Sequence, residues 1–162
     1  MPKPLWAPWR LEYIVQAGEQ TGCVFCAEAS GALGESESLA VHRDELGVVV
    51  LNKFPYTSGH LMVAPLRHVA GLEELNEAEA VAVHGLTVRS LAALQSAYAP
   101  DAFNVGWNLG EVAGGSLSGH LHEHVVPRWA GDTNFMPVLA DVKVMPEHLL
   151  RTRDRLREAW IT

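Results

Sequence analysis

Positive charge is scarce in this sequence. Lysine and arginine number 12 against 19 aspartates and glutamates, giving a net charge of −7 with the eight histidines neutral. A protein that grips nucleic acid along its backbone wants a basic face, so that class is disfavoured. A small anionic ligand, which needs only a few donors in one pocket, is not. Long apolar runs are also missing: Val48-Val49-Val50-Leu51 falls far below the ~20 residues a membrane span requires. Cysteine is limited to Cys23 and Cys26. The opening MPKPLWAPWR is broken by Pro2, Pro4 and Pro8, and so resembles neither a signal peptide nor a transit helix. With no export signal, a disulfide framework is disfavoured and a cytoplasmic address is expected.

What is present suits one compact domain. A chain of 162 residues with 48% hydrophobic residues buries roughly 70% of its unfolded surface without staples. A charged fraction of 19% excludes a disordered chain. We divide the single domain 1–162 into an arm with the cysteine pair (1–38), a core (39–130) and an extension ending in a helix (131–162). The arm carries Trp6 and Trp9 as packing anchors and a short helix near Leu11–Gln16. The stretch around the cysteines, with Gly18, Gly22, Gly31 and Gly34, reads as loop.

Five strands are expected. LAVHRD, GVVVLN and HLMVAPL are β-branched runs separated by turn residues, and two more lie at Phe103–Asn108 and His120–Pro127. Between them Asn76 reads as the cap of a long helix, with Glu77 and Glu79 in its first turn. Val83, Leu86, Leu91, Leu94 and Tyr98 share one face of that helix. Ala99-Pro100-Asp101 ends it, and a charged helix runs from about Pro146 to Trp160. An antiparallel five-stranded sheet with one long and one short helix makes an α+β domain.

The densest chemical signal is Gly119-His120-Leu121-His122-Glu123-His124-Val125-Val126-Pro127-Arg128. On a strand, the three imidazoles project from one side, about 7 Å apart. Buried imidazoles each need a hydrogen-bond partner, so they make a poor core. Three readings stand: scattered surface histidines, a metal site, or a histidine that attacks an electrophilic phosphorus. Cys23-x-x-Cys26 is half a zinc site, or two buried thiols packing as small hydrophobes. A thioredoxin-like pair is disfavoured because no strand leads straight into a helix there. The glycine-rich Gly110–Gly119 matches neither a dinucleotide fingerprint nor a Walker loop, and it is no nucleophile elbow.

His-x-His-x-His followed by two apolar residues and Pro-Arg resembles the histidine triad family of nucleotide hydrolases and transferases. Leu51-Asn52-Lys53 with Pro55, Gly59-His60-Leu61-Met62-Val63-Ala64-Pro65, Gly106-Trp107-Asn108-Leu109-Gly110 and Ala113-Gly114-Gly115 agree in kind and order. The resemblance covers about residues 40–130. The flanking LWAPWRLEYI and the segment after Trp129 resemble a bacterial branch associated with diadenosine tetraphosphate phosphorylase.

The resemblance implies the following roles. His122 attacks the α-phosphorus of a nucleotide and carries AMP, its other nitrogen bonded to the carbonyl of the third histidine. A neutral imidazole is a competent nucleophile near neutral pH. His124 holds a phosphate oxygen, and His60 and His120 support the site. Asn52 reaches the ribose and Asn108 the phosphate or leaving group; without the resemblance, either asparagine also reads as a residue that closes a turn. Gly114, Gly115 and Ser116 offer donors to phosphate oxygens. Cys23 and Cys26, joined by His68 and His120, hold a structural zinc; no organic cofactor is implied. Trp129 stacks on adenine or caps a dimer core. His42, His84 and His148 belong to no motif and read as surface or structural histidines.

Two positions depart from the family. Glu123 replaces an apolar side chain pointing away from the site and must meet solvent, a partner subunit or a basic group. Ser116 stands where many members have glutamine. The implied partners are a nucleotide substrate, inorganic phosphate as acceptor and a second copy in a homodimer with one continuous sheet, edged by Ala99 through Asn108. The implied reaction is phosphorolysis of diadenosine tetraphosphate to ADP and ATP. Its alternatives are hydrolysis of dinucleoside polyphosphates or AMP-amines, a nucleotide-binding regulator with incidental turnover, and a metalloenzyme with zinc on all three triad histidines.

Overall fold

The structure, a computed structural model, describes residues 22–113, 119–132 and 147–160. The arm with Trp6, Trp9 and the Leu11–Gln16 segment lies outside the described residues, as do Gly114, Gly115 and Ser116. The elements in order are α1 (Val24–Ser30), β1 (Ala40–Arg43), β2 (Gly47–Leu51), β3 (Leu61–Pro65), α2 (Glu77–Tyr98), β4 (Ala102–Trp107), β5 (Glu123–Arg128) and α3 (Leu149–Glu158). The strands form one sheet, ordered β1-β2-β3-β5-β4, with every pairing antiparallel.

The sheet separates two apolar layers by residue parity, as strand alternation requires. Val49, Leu51, Leu61, Val63 and Val125 pack with Val83, Leu86 and Leu94 of α2 on one side. Val48, Val50, Met62 and Ala64 pack with Phe25 of α1 on the other. All residues of β2 and β3 are buried, which explains why both read as near-continuous apolar runs rather than alternating ones.

The long helix begins as the sequence predicts. Asn76 Oδ1 accepts from the Glu79 N–H at 2.9 Å, and Glu79 Oε2 accepts from the Asn76 N–H at 3.0 Å, a reciprocal cap. The Glu79 carboxylate also takes two bonds from Arg67 at 2.9 and 2.7 Å. This fixes the segment after β3, which carries His68, against the start of α2. At the other end Ala99 adopts a left-handed conformation (φ 44°) ahead of Pro100.

The helix α3 reaches back across the sheet edge. Arg153, 5% exposed, donates to the carbonyls of Glu35 and Ser38 at 2.5 and 2.7 Å. Arg157 donates to the Ala40 carbonyl at 2.9 and 2.6 Å. Trp160 stacks on His42 at 4.8 Å, a structural place for that histidine, while His148 caps α3 and His84 is exposed.

Three expectations need correction. The stretch read as loop around the cysteines contains α1, which starts directly after Cys23 and is closed by Gly31 at φ 69°. The histidine strand begins only at Glu123, so His120 and His122 precede it and do not share a pleat with His124. Glu123 is half-buried and, among the described residues, meets a hydroxyl rather than a basic group: Thr87 of α2 donates to its Oε2 at 2.5 Å. Its odd parity with Val125 turns it toward α2, and a hydroxyl from the helix satisfies the carboxylate there.

Candidate active site and metal centre

His124 lies on β5 opposite Met62 of β3, on the face of the sheet away from α2. Gly59, with φ 82°, turns the chain into β3 just before His60; a Cβ there would come within 2.8 Å of Leu94. Leu121 N–H donates to the Val69 carbonyl at 2.6 Å, anchoring the segment that carries His120 and His122.

His120 and His122 are nearly fully buried, at 2% and 6% exposure. The His120 Nε2–H donates to the Pro65 carbonyl at 2.9 Å, which leaves the Nδ1 lone pair facing Cys23 Sγ at 3.2 Å and Cys26 Sγ at 3.6 Å. The His122 Nδ1–H donates to the His120 carbonyl at 2.8 Å. This carbonyl belongs to the first histidine of the triad, not to the third as the resemblance implied. A ring that donates from Nδ1 keeps its lone pair on Nε2, so the bond fixes which nitrogen of His122 carries the lone pair.

Hydrogen bonding also assigns the next two rings. The Tyr56 N–H donates to His60 Nδ1 at 3.1 Å, and the Asn52 amide nitrogen lies 3.4 Å from the same atom. Asn52 Oδ1 accepts from the Phe54 N–H at 2.9 Å. His60 Nδ1 is therefore an acceptor, and its Nε2–H donates to His124 Nδ1 at 3.0 Å. The proton of His124 then sits on Nε2, 3.2 Å from the Asn108 amide, which must turn its oxygen there. His124 thus offers a donor to a phosphate oxygen arriving in place of Asn108.

Burial lowers the pKa of His120 and His122 below the usual histidine value. For His124, burial and then the neighbouring His122 push it down to about 4. All three rings are neutral at pH 7, the state in which an imidazole nitrogen can act as a nucleophile. The linkage has a definite sign. Between pH 6.5 and 4 the unfolded chain binds a proton at His124 that the folded chain refuses, so stability falls as pH drops through that window and levels off below it. Urea unfolding is expected to show about 2 kcal/mol more loss between pH 7.5 and 5 in the native protein than in His124→Asn. Equal losses in the two proteins would contradict the shift.

The second cluster is contiguous with the first. The ligand atoms of Cys23, Cys26, His68 and His120 all lie within 4.8 Å of one another, with Cys26 Sγ 3.3 Å from His68 Nδ1. Tetrahedral ligands at 2.0–2.3 Å from an ion stand about 3–4 Å apart, so the donor set fits a metal ion. The Pro65 carbonyl that fixes the tautomer of His120 supplies the outer-sphere partner such a ligand needs. Phe25, between the two cysteines and fully buried, lays its ring 5.2 Å from His120 and 4.9 Å from His122.

Not every expected residue converges. Trp129 stands five residues beyond His124 at the far end of β5, about 17 Å along the strand. Its indole N–H donates to the Tyr98 carbonyl at 3.4 Å, so the structure does not bring it to the triad within one chain. Conversely, Tyr56 packs at the triad although nothing singled it out in sequence, its ring stacked on His60 at 4.8 Å.

A neutral imidazole with a lone pair on Nε2, beside a second ring that offers an N–H, is an arrangement capable of group transfer at phosphorus. Residues 33–131 match the HIT domain family, and the chain belongs to that histidine triad family and is an enzyme of its nucleotide hydrolase and transferase class. A Mycobacterium tuberculosis protein named AP-4-A phosphorylase is 40% identical, over 96% of this chain and 83% of its own length. An Arabidopsis thaliana adenylylsulfatase is 30% identical, over 70% of this chain and 59% of its own. The crystal structure of a zinc-bound histidine triad family protein from Mycobacterium smegmatis superposes with a TM-score of 0.69 at 27% identity, covering 85% of this chain and 92% of that one. No helix among the described residues is long and apolar enough to cross a membrane.

Proposed function

We propose that this enzyme cleaves diadenosine tetraphosphate by phosphorolysis through a covalent AMP–His122 intermediate. The observation that carries the reading is the bond from His122 Nδ1–H to the His120 carbonyl, which leaves a neutral lone pair on Nε2 of a ring 4.9 Å from His124. The likeness to AP-4-A phosphorylase supports the substrate. In the first half-reaction the His122 Nε2–P bond forms while the bond from the α-phosphorus to the bridging oxygen breaks, and ATP leaves. In the second, an oxygen of inorganic phosphate attacks the same phosphorus, the N–P bond breaks and ADP departs. His124 Nε2–H steadies a non-bridging oxygen in both steps. His60 holds His124 in that tautomer, and Asn52 holds His60. Asn108 binds the phosphate or leaving group, Asn52 also reaches the ribose, and Gly114, Gly115 and Ser116 donate to phosphate.

Zinc is the metal we assign to Cys23, Cys26, His68 and His120. It braces the segment carrying the triad and stays out of the reaction. Two thiolates that bind metal suit a reducing, cytoplasmic compartment. The same reading pairs two chains along β4, the last strand of the sheet, which leaves Val105 45% exposed.

Product analysis decides among the reactions. Purified protein mixed with diadenosine tetraphosphate is expected to yield ADP and ATP only when inorganic phosphate is present. AMP and ATP formed regardless of phosphate would instead mean a hydrolase, and no turnover would remove the reading.

A further inference from the structure

Glu28 places a carboxylate on the buried face of α1. It is 5% exposed and shares that face with Phe25 and Ala29. Burying a carboxylate there costs free energy that an apolar side chain would not. What the carboxylate adds is direction. Each of its oxygens accepts one bond from the segment leading into β1: Oε2 from the Ser38 hydroxyl at 2.6 Å and Oε1 from the Leu39 N–H at 2.7 Å.

The donating segment is itself fixed from two sides. The Leu39 carbonyl accepts from the Leu51 N–H of β2 at 2.9 Å. The Ser38 carbonyl accepts from Arg153 of α3 at 2.7 Å, and the Ala40 carbonyl accepts from Arg157. Helices α1 and α3 both lie outside residues 33–131, the part that matches the family. The two flanks of the chain are therefore joined through Ser38, with Arg153 bonded to its carbonyl and Glu28 to its hydroxyl.

The consequence for the triad runs through Phe25, three residues before Glu28. Its ring lies 4.9 Å from His122 and 5.2 Å from His120. A seven-residue helix whose N-cap, Cys23, makes no capping bond is too short to be stable by itself. Apolar packing is non-directional, so contact with Val48, Val50, Met62 and Ala64 leaves such a helix free to slide. Two bonds to a charged acceptor are directional and remove that freedom.

We propose that Glu28 is a positioning residue for the nucleophile: it fixes the placement of α1, and with it the seat that Phe25 gives to His122. The assignment rests on the proposed function, in which His122 attacks phosphorus.

Glu28→Leu removes both bonds and keeps an apolar side chain for the core. Assayed well below its Tm with diadenosine tetraphosphate and phosphate, it is expected to lose up to about 100-fold in kcat, as misplacement from far away can cost. KM should stay within a few-fold of native. Glu28→Gln keeps the shape; its carbonyl can accept from the Leu39 N–H and its amide can donate to the Ser38 oxygen, so it should recover most of kcat. Ser38→Ala removes one bond alone and should lower kcat about 2- to 10-fold, and it carries the test if Glu28→Leu does not fold. The imidazole 15N spectrum at neutral pH gives a readout without substrate. Native His122 is expected in the single Nδ1–H form, and the Leu and Ala variants in a mixture of tautomers. Variants that lose Tm yet keep native kcat and a single His122 tautomer would make Glu28 a stabilising residue only, and would overturn the proposal. Native protein that turns over no nucleotide would remove the functional reading; the spectrum alone would then decide whether Glu28 holds the His122 ring.

Discussion

Replacing His122 with alanine is expected to lower turnover of diadenosine tetraphosphate by at least about 10⁴-fold while leaving nucleotide affinity within a few-fold. Removal of a covalent nucleophile produces losses of this order, because what remains is binding and electrostatics alone. Affinity should survive because His124 keeps its place independently. Its Nδ1 is held by His60 and its backbone by β3 and β4. Native protein quenched in acid-free denaturant during turnover should carry AMP on His122, and the variant should carry none. A regulator with incidental turnover predicts little loss of function on substitution. A zinc on all three triad histidines predicts chelator-sensitive activity and no adduct; the ring geometry disfavours it, since His120 Nδ1 faces the cysteines and His122 Nδ1 is spent on a carbonyl.

Much of this framework was legible in the sequence, for identifiable reasons. The long helix announced itself because Asn76 and Glu79 cap each other locally, within four residues. The strands announced themselves because β2 and β3, buried on both faces, are almost wholly apolar. The cluster of Cys23, Cys26, His68 and His120, which could hold a metal ion, was legible only through the family resemblance, since Cys26 and His68 stand 42 residues apart and Cys23 and His120 stand 97 apart. What stayed hidden depended on tertiary contacts. The helix α1 is seven residues long and its N-cap, Cys23, makes no capping bond, so no local signal marks its start. The partner of Glu123 is Thr87, 36 residues away on another element. The alternation rule failed at His120 and His122 because pleating begins at Glu123, one residue beyond His122 and three beyond His120. Tyr56 sits in a turn between Pro55 and Gly59, where composition suggests punctuation rather than a packed ring.

On the zinc reading proposed above, removing the metal is expected to damage both stability and catalysis, by a route that never touches substrate. An ion at 1,000 times its dissociation constant stabilises the fold by about 4 kcal/mol, so chelation or Cys26→Ser should lower Tm by about 8–16 °C. The catalytic effect follows from the double engagement of His120. Its Nδ1 faces the cysteine pair, and its carbonyl sets the tautomer of His122. Phe25, carried between the same cysteines on α1, closes the other side of both rings. Loosening α1 therefore releases the ring that packs against His122 and the residue that orients it. We expect kcat to fall about 10- to 100-fold, the usual cost of disturbing an outer-sphere support, with a smaller change in KM and recovery on adding zinc to the chelated protein but not to Cys26→Ser. Metal content, Tm and kcat measured on the same samples should move together. Chelated protein that melts and turns over like the untreated enzyme would mean that the two thiols merely pack, and that the histidines hold their geometry without an ion.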